Sequence, residues 1–222
     1  MKQIECVIFD WAGTTVDYGC MAPVATFVES FEAIGVPVTA ADTRRYMGLT
    51  KVEEIRALFR ISRVAEAFRR KYGRDWDESD VQARYADFQR ILCATLDRYA
   101  TPIPGVVETV NILRERGIKI GSTTGYTAAM MDIVQPAAAA QGYRADSCVT
   151  SDHLPAGRPA PYMVYQNMIN LAIPSVDSVV KVGDTMADVR RRMTEAGAHY
   201  VIDRMAELPK VIDEINKKMI EL

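Results

Sequence analysis

Apolar positions along most of this chain fall into short continuous runs separated by stretches of helical spacing. Ile4-Glu5-Cys6-Val7-Ile8-Phe9, and the runs at 118–124, 147–150, 179–184 and 198–202, read as buried strands. Between them, residues 106–116, 128–141, 160–171 and 186–196 carry the helical period, and Gly117, Gly142 and Gly197 stand where helices stop. Such alternation predicts an α/β fold, a Rossmann-like parallel sheet with helices on both faces. A final helix is expected over 208–220.

The alternation breaks between about residues 21 and 99. There the pattern gives amphipathic helices over 24–35, 51–58, 63–72 and 78–96 and no convincing strand. A helical domain is therefore expected to interrupt the α/β domain after its first strand. Residues 1–20 and 100–222 form the expected core and 21–99 the insert, with Ala100-Thr101-Pro102-Ile103-Pro104-Gly105 as the return linker.

Composition removes several classes of function. With 222 residues and a formal net charge of −2, the chain has no polybasic surface for nucleic acid or anionic lipid, so a phosphate-bearing ligand needs a local site. Cys6, Cys20, Cys93 and Cys148 are scattered without a CxxC pair, as expected of reduced thiols. Residues 1–10 lack the pattern of a signal peptide and no run is long enough to span a bilayer. The expectation is a soluble, cytoplasmic protein acting on a small molecule.

The chemistry-bearing residues fall at strand ends. Asp10 closes the first strand and leads into Trp11-Ala12-Gly13-Thr14-Thr15, Thr123-Thr124-Gly125 closes the second, Arg158 lies in a Pro/Gly loop, and Gly183-Asp184-Thr185 closes a later strand with Asp188 one turn on. Strand ends of an α/β sheet share one edge, so these groups should converge. Two carboxylates suit a hard cation, and a threonine hydroxyl, backbone N–H groups and an arginine suit phosphoryl oxygens. The set specifies phosphoryl transfer, with Asp10 as nucleophile or metal ligand.

The order of these motifs resembles that of the haloacid dehalogenase superfamily, and the helical insert resembles its cap domain. Asp-Trp-Ala-Gly-Thr-Thr-Val-Asp-Tyr-Gly at 10–19, Met-Gly-Leu-Thr-Lys at 47–51, Gly-Ser-Thr-Thr-Gly-Tyr-Thr at 121–127 and Ala-Gly-Arg-Pro at 156–159 are similar to the phosphonatase family within it. The resemblance implies cleavage of the P–C bond of phosphonoacetaldehyde, in 2-aminoethylphosphonate degradation, to acetaldehyde and phosphate. It also implies Mg²⁺ held by Asp10, the Ala12 backbone carbonyl and Asp184, with Asp188 and Thr185 supporting those ligands. Thr124 and Arg158 would bind the phosphoryl group. Gly48, Met47, Tyr126 and Cys20 would line the substrate pocket, and a homodimer would form through the caps.

Phosphatases of the superfamily usually carry a second aspartate two residues after the nucleophile, where Ala12 stands. A carbon leaving group needs an electron sink instead, and a lysine imine supplies one. Lys51 is at the position the family uses. In the family a histidine usually follows that lysine by three positions; here the residue is Glu54, a possible proton relay. The run beyond Asp188 is also shorter than usual. Alternatives are a phosphate-monoester phosphatase or phosphomutase of the same superfamily, and a non-catalytic ligand-binding relative.

Overall fold

The computed structural model describes residues 3–47, 50–158, 160–183 and 197–220. The chain divides into two compact units, Met1–Gly19 with Arg98–Leu222, and Cys20–Asp97.

Among its described residues the first unit is built on four parallel strands in the order β3-β2-β1-β4: β1 (Cys6–Asp10), β2 (Lys119–Thr124), β3 (Ser147–Thr150) and β4 (Val179–Val182). All five residues of β1 are buried, as its apolar run requires of a central parallel strand. Register pairs Cys6 with Lys119 and with Val179, which carries Asp10 opposite Thr123 at the carboxyl edge. The helix Val106–Glu115 and the helix Tyr162–Asn170 both pack on β2. Cys6 and Ile8 meet Leu171 and Ile173 in one buried cluster.

One side chain ties helix to sheet here. Asn167, fully buried, donates from Nδ2 to the carbonyls of Ser122 (2.9 Å) and Met163 (2.8 Å), and its Oδ1 accepts from the Ser122 N–H at 3.2 Å. Gly121 makes room for it, since a β-carbon there would stand 2.9 Å from Asn167 Oδ1.

Among its described residues the second unit holds five helices: α1 (Met21–Glu32), α2 (Ala40–Tyr46), α3 (Lys51–Phe59), α4 (Ser62–Tyr72) and α5 (Glu78–Thr95). Aromatic rings make its core. Phe27 stacks on Phe88 at 4.3 Å, and Phe59 meets Phe31, Trp76 and Phe68 at 4.9, 5.4 and 5.6 Å. Burying each such ring is worth roughly 2–3 kcal/mol. Reciprocal capping boxes, Thr39 with Asp42 and Asp77 with Asp80, start α2 and α5.

Two sequence expectations change. Residues 198–202 form no strand: they are partly to largely exposed and, among the described residues, no strand pairs with their backbone. Helix α2 is additional, seven residues with Thr43 as the one buried side chain, too short for a periodic signal. Gly48, Asp184, Thr185, Asp188 and the expected helix 186–196 lie outside the described residues.

Candidate active site

The site in the α/β unit begins with how the chain turns after β1. The Trp11 carbonyl accepts from the N–H groups of Thr14, Thr15 and Val16 at 3.1, 2.9 and 3.1 Å, and Gly13 supplies the positive φ (79°) such a turn needs. Thr15 Oγ1 donates to the Asp10 carbonyl at 3.0 Å. Asp10 is thus fixed through its backbone while its carboxylate stays at the strand end, 5% exposed. Trp11 turns inward, edge-on to the buried Tyr143 ring at 5.0 Å.

Other strand ends close on this carboxylate. Arg158 Nη1 lies 3.1 Å from Asp10 Oδ2. A β-carbon on Gly125 would stand 3.6 Å from Arg158 Nη2, and one on Gly183 would stand 3.7 Å from Asp10 Cβ. The ends of β1, β2 and β4 and the Arg158 loop therefore meet at Asp10, as strand ends of a parallel sheet should. The guanidinium is 45% exposed, so the pair contributes little stability; its value is a fixed positive charge beside a buried carboxylate. Thr124 Oγ1 accepts from the Tyr126 N–H at 3.0 Å, which leaves the hydroxyl hydrogen to donate. Tyr126 itself is buried. Ala12 follows in the turn, and its methyl offers no proton.

These groups fit a hard cation in donor type: a buried carboxylate oxygen, a backbone carbonyl two residues on, and a chain that passes Asp10 at Gly183 just before Asp184. Among the described residues no group of three His, Cys, Asp or Glu side chains clusters, and Asp184 is not among them.

In the helical unit, Lys51 is the first residue of α3, after Thr50 as N-cap. Its Nζ lies 2.8 Å from Glu54 Oε2 and 5.3 Å from the centroid of the Phe27 ring. Glu54 is 1% exposed, and burial pushes its carboxyl up, against the opposing pull of Lys51. Met47 ends α2 and Cys20 precedes α1 with φ of 52°, both half-buried. The candidates thus fall into two groups, Asp10, Ala12, Thr124, Tyr126 and Arg158 in one unit, and Cys20, Met47, Lys51 and Glu54 in the other. Sequence reasoning missed Thr15 and Asn167 as supports. The Gly-Thr-Thr run signals a tight turn, but nothing local marks a buried asparagine on a helix as a clamp.

The family model of haloacid dehalogenase-like hydrolases matches residues 4–190, and the chain belongs to that family of enzymes. Within it, the chain is 48% identical to the phosphonoacetaldehyde hydrolase of Parabacteroides distasonis, across 98% of this chain and 99% of that protein. It is 46% identical to that of Bacillus cytotoxicus, across 97% and 98%. These relatives place it in the phosphonoacetaldehyde hydrolase family. The alignment to the Parabacteroides protein runs over 261 positions against 222 residues here, so part of that relative has no counterpart in this chain. A phosphonoacetaldehyde hydrolase-like protein from Oleispira antarctica superposes with a TM-score of 0.85 at 32% identity, over 97% of this chain and 94% of that one. A family hydrolase from Deinococcus radiodurans, solved with phosphate and sodium, shares the fold at a TM-score of 0.65 and 14% identity, over 97% of each chain.

Proposed function

We propose that this protein hydrolyses the carbon–phosphorus bond of phosphonoacetaldehyde, releasing acetaldehyde and phosphate. The observation that carries the reading is Asp10, buried at the strand end beside Arg158 with Ala12 two residues on, in a chain that also presents Lys51 at the start of a helix. Without an acid at position 12, no side chain there protonates an alkoxide, so a phosphate ester is the poorer substrate.

In this reading the Lys51 amine condenses with the aldehyde, with loss of water, to a protonated imine. Asp10 then attacks phosphorus; as the O–P bond forms, the P–C electron pair passes into the imine and leaves an enamine. Protonation at carbon and hydrolysis free acetaldehyde and Lys51, and water attacks the aspartyl phosphate to free phosphate and Asp10. Arg158 and the Thr124 hydroxyl hold phosphoryl oxygens through the transfer. Tyr126, Met47, Gly48 and Cys20 would contact the substrate. A Mg²⁺ ion held by Asp10, the Ala12 carbonyl and Asp184, with Thr185 and Asp188 behind them, would neutralise phosphoryl charge. The same reading makes the protein cytoplasmic and a homodimer joined through its caps; no described helix is long and apolar enough to cross a membrane.

The test is product analysis with phosphonoacetaldehyde and Mg²⁺. Acetaldehyde and phosphate should appear in equal amounts, fall to background with a chelator, and return with Mg²⁺. Phosphate release from simple phosphate monoesters at a comparable rate, without acetaldehyde production, would replace this reading with that of a phosphatase.

A further inference from the structure

Three hydroxyl side chains end β2, and all three are buried. Ser122 Oγ donates to the Ser147 carbonyl at 3.0 Å, and Thr124 Oγ1 accepts from the Tyr126 N–H at 3.0 Å. Thr123 is 1% exposed, and its Oγ1 meets no hydrogen-bond partner among the described residues. A hydroxyl held from water without a bond costs stability, and a valine of similar shape would escape that cost. An orphaned donor beside a reaction centre points to a use during the reaction.

The strand register fixes what Thr123 stands beside. Ile8 and Gly121 are partners on β1 and β2, and a β-carbon on Gly121 would approach Ile8 Cγ1 to 3.0 Å, so the two positions share a face of the sheet. Two residues on, Asp10 and Thr123 are partners as well, and strand alternation puts them on that same face. Partnered positions on neighbouring strands stand about 4.8 Å apart. Just past the strand end, a β-carbon on Gly125 would stand 3.6 Å from Arg158 Nη2, while Arg158 Nη1 takes Asp10 Oδ2. In the resting site the arginine thus occupies the carboxylate that lies next to the threonine.

We propose that Thr123 is a positioning residue for the nucleophile: once Arg158 turns to the phosphoryl group, the Thr123 hydroxyl donates to the Asp10 oxygen that is not bonded to phosphorus. This rests on the aspartyl-phosphate reading above. As Asp10 attacks, its carboxylate loses negative charge and the hydrogen bond weakens. Breakdown of the intermediate runs the other way. Water oxygen bonds to phosphorus, the Asp10 O–P bond breaks with its electron pair returning to the carboxylate, and both water hydrogens leave on dihydrogen phosphate. The hydrogen bond strengthens as that charge returns, so it speeds release of phosphate and not cleavage of the carbon–phosphorus bond.

The experiment is a rapid-quench single turnover of phosphonoacetaldehyde by wild type, Thr123→Val and Thr123→Ser with Mg²⁺, timing acetaldehyde and phosphate separately, with thermal melting of each free protein. Valine keeps the branched shape and loses the donor; serine keeps the donor. In Thr123→Val acetaldehyde should form at least as fast as in wild type, while phosphate release slows by about 10- to 100-fold. The missing phosphate should be found on the protein as a hydroxylamine-labile adduct at Asp10. Thr123→Val should melt at or above the wild-type temperature, because an orphaned hydroxyl is gone, whereas a structural role would lower it. Serine should restore phosphate release. Phosphate that keeps pace with acetaldehyde in Thr123→Val as in wild type would overturn the assignment. So would serine as slow as valine, or both products slowed alike with a lowered melting temperature. Wild type that releases no acetaldehyde would refute the proposed function itself, a result distinct from any of these.

Discussion

Replacing Asn167 with alanine should weaken the α/β unit by about 3 kcal/mol. The side chain makes three hydrogen bonds inside a fully buried junction, two to the backbone of Ser122 in β2 and one to the Met163 carbonyl. Each is worth about 1 kcal/mol net, and backbone groups left without partners away from water raise the cost. The gap cannot refill readily, because the amide lies against Gly121, where a β-carbon would also stand 3.0 Å from Ile8 Cγ1. For a chain of this size that loss corresponds to a melting shift of about 6–12 °C. Urea and thermal unfolding followed by circular dichroism would read it, with Gln166→Ala as the control. The Gln166 amide bonds the side chain of Asn170 near the surface, and its loss should stay within about 0.5 kcal/mol. A loss below about 1 kcal/mol for Asn167→Ala would refute the clamp.

Three further outcomes are expected. Asp10→Asn should abolish release of both acetaldehyde and phosphate while the Lys51 adduct still forms, as read by product assay and borohydride trapping; retained turnover would remove Asp10 as nucleophile. Cys6 is fully buried with its thiol pushed up to about 11 by burial, so it should resist thiol reagents in the native protein and react only on unfolding, whereas half-buried Cys20 and Cys93 should label first. The Glu54 carboxyl binds its proton more tightly folded than unfolded, so its contribution to stability is full below about 4.5 and is lost as pH rises through the raised folded value. The stability of wild type relative to Glu54→Gln should therefore fall with rising pH in urea melts, and a difference constant with pH would contradict this.

What the sequence made legible follows from which forces are local. The run before Asp10 reads as a strand because every residue of β1 is buried between two parallel neighbours, and the last helix, Leu208–Ile220, was legible because its apolar face repeats cleanly. Helix α2 escaped because a seven-residue helix with one buried side chain has almost no period, although Thr39 and Asp42 carry its capping box in plain view. Residues 198–202 have strand-like composition, but a strand exists only where another pairs with it, and composition does not report that. In the site, Asp10 and the Thr-Thr-Gly end of β2 announce themselves by position. The meeting of Arg158 with Asp10, 148 positions apart, does not, nor does the Asn167 clamp on Ser122, because both depend on packing between distant elements.

Carbon–phosphorus cleavage through Lys51 is the step on which the proposed function stands or falls. Wild type and Lys51→Ala, both shown to be folded, are compared for acetaldehyde release from phosphonoacetaldehyde, with borohydride trapping of the wild type in parallel. One reduced adduct, on Lys51, is expected, with loss of acetaldehyde release in Lys51→Ala by at least about 1000-fold. Acetaldehyde release that survives in Lys51→Ala, or an adduct on another lysine alone, would contradict it.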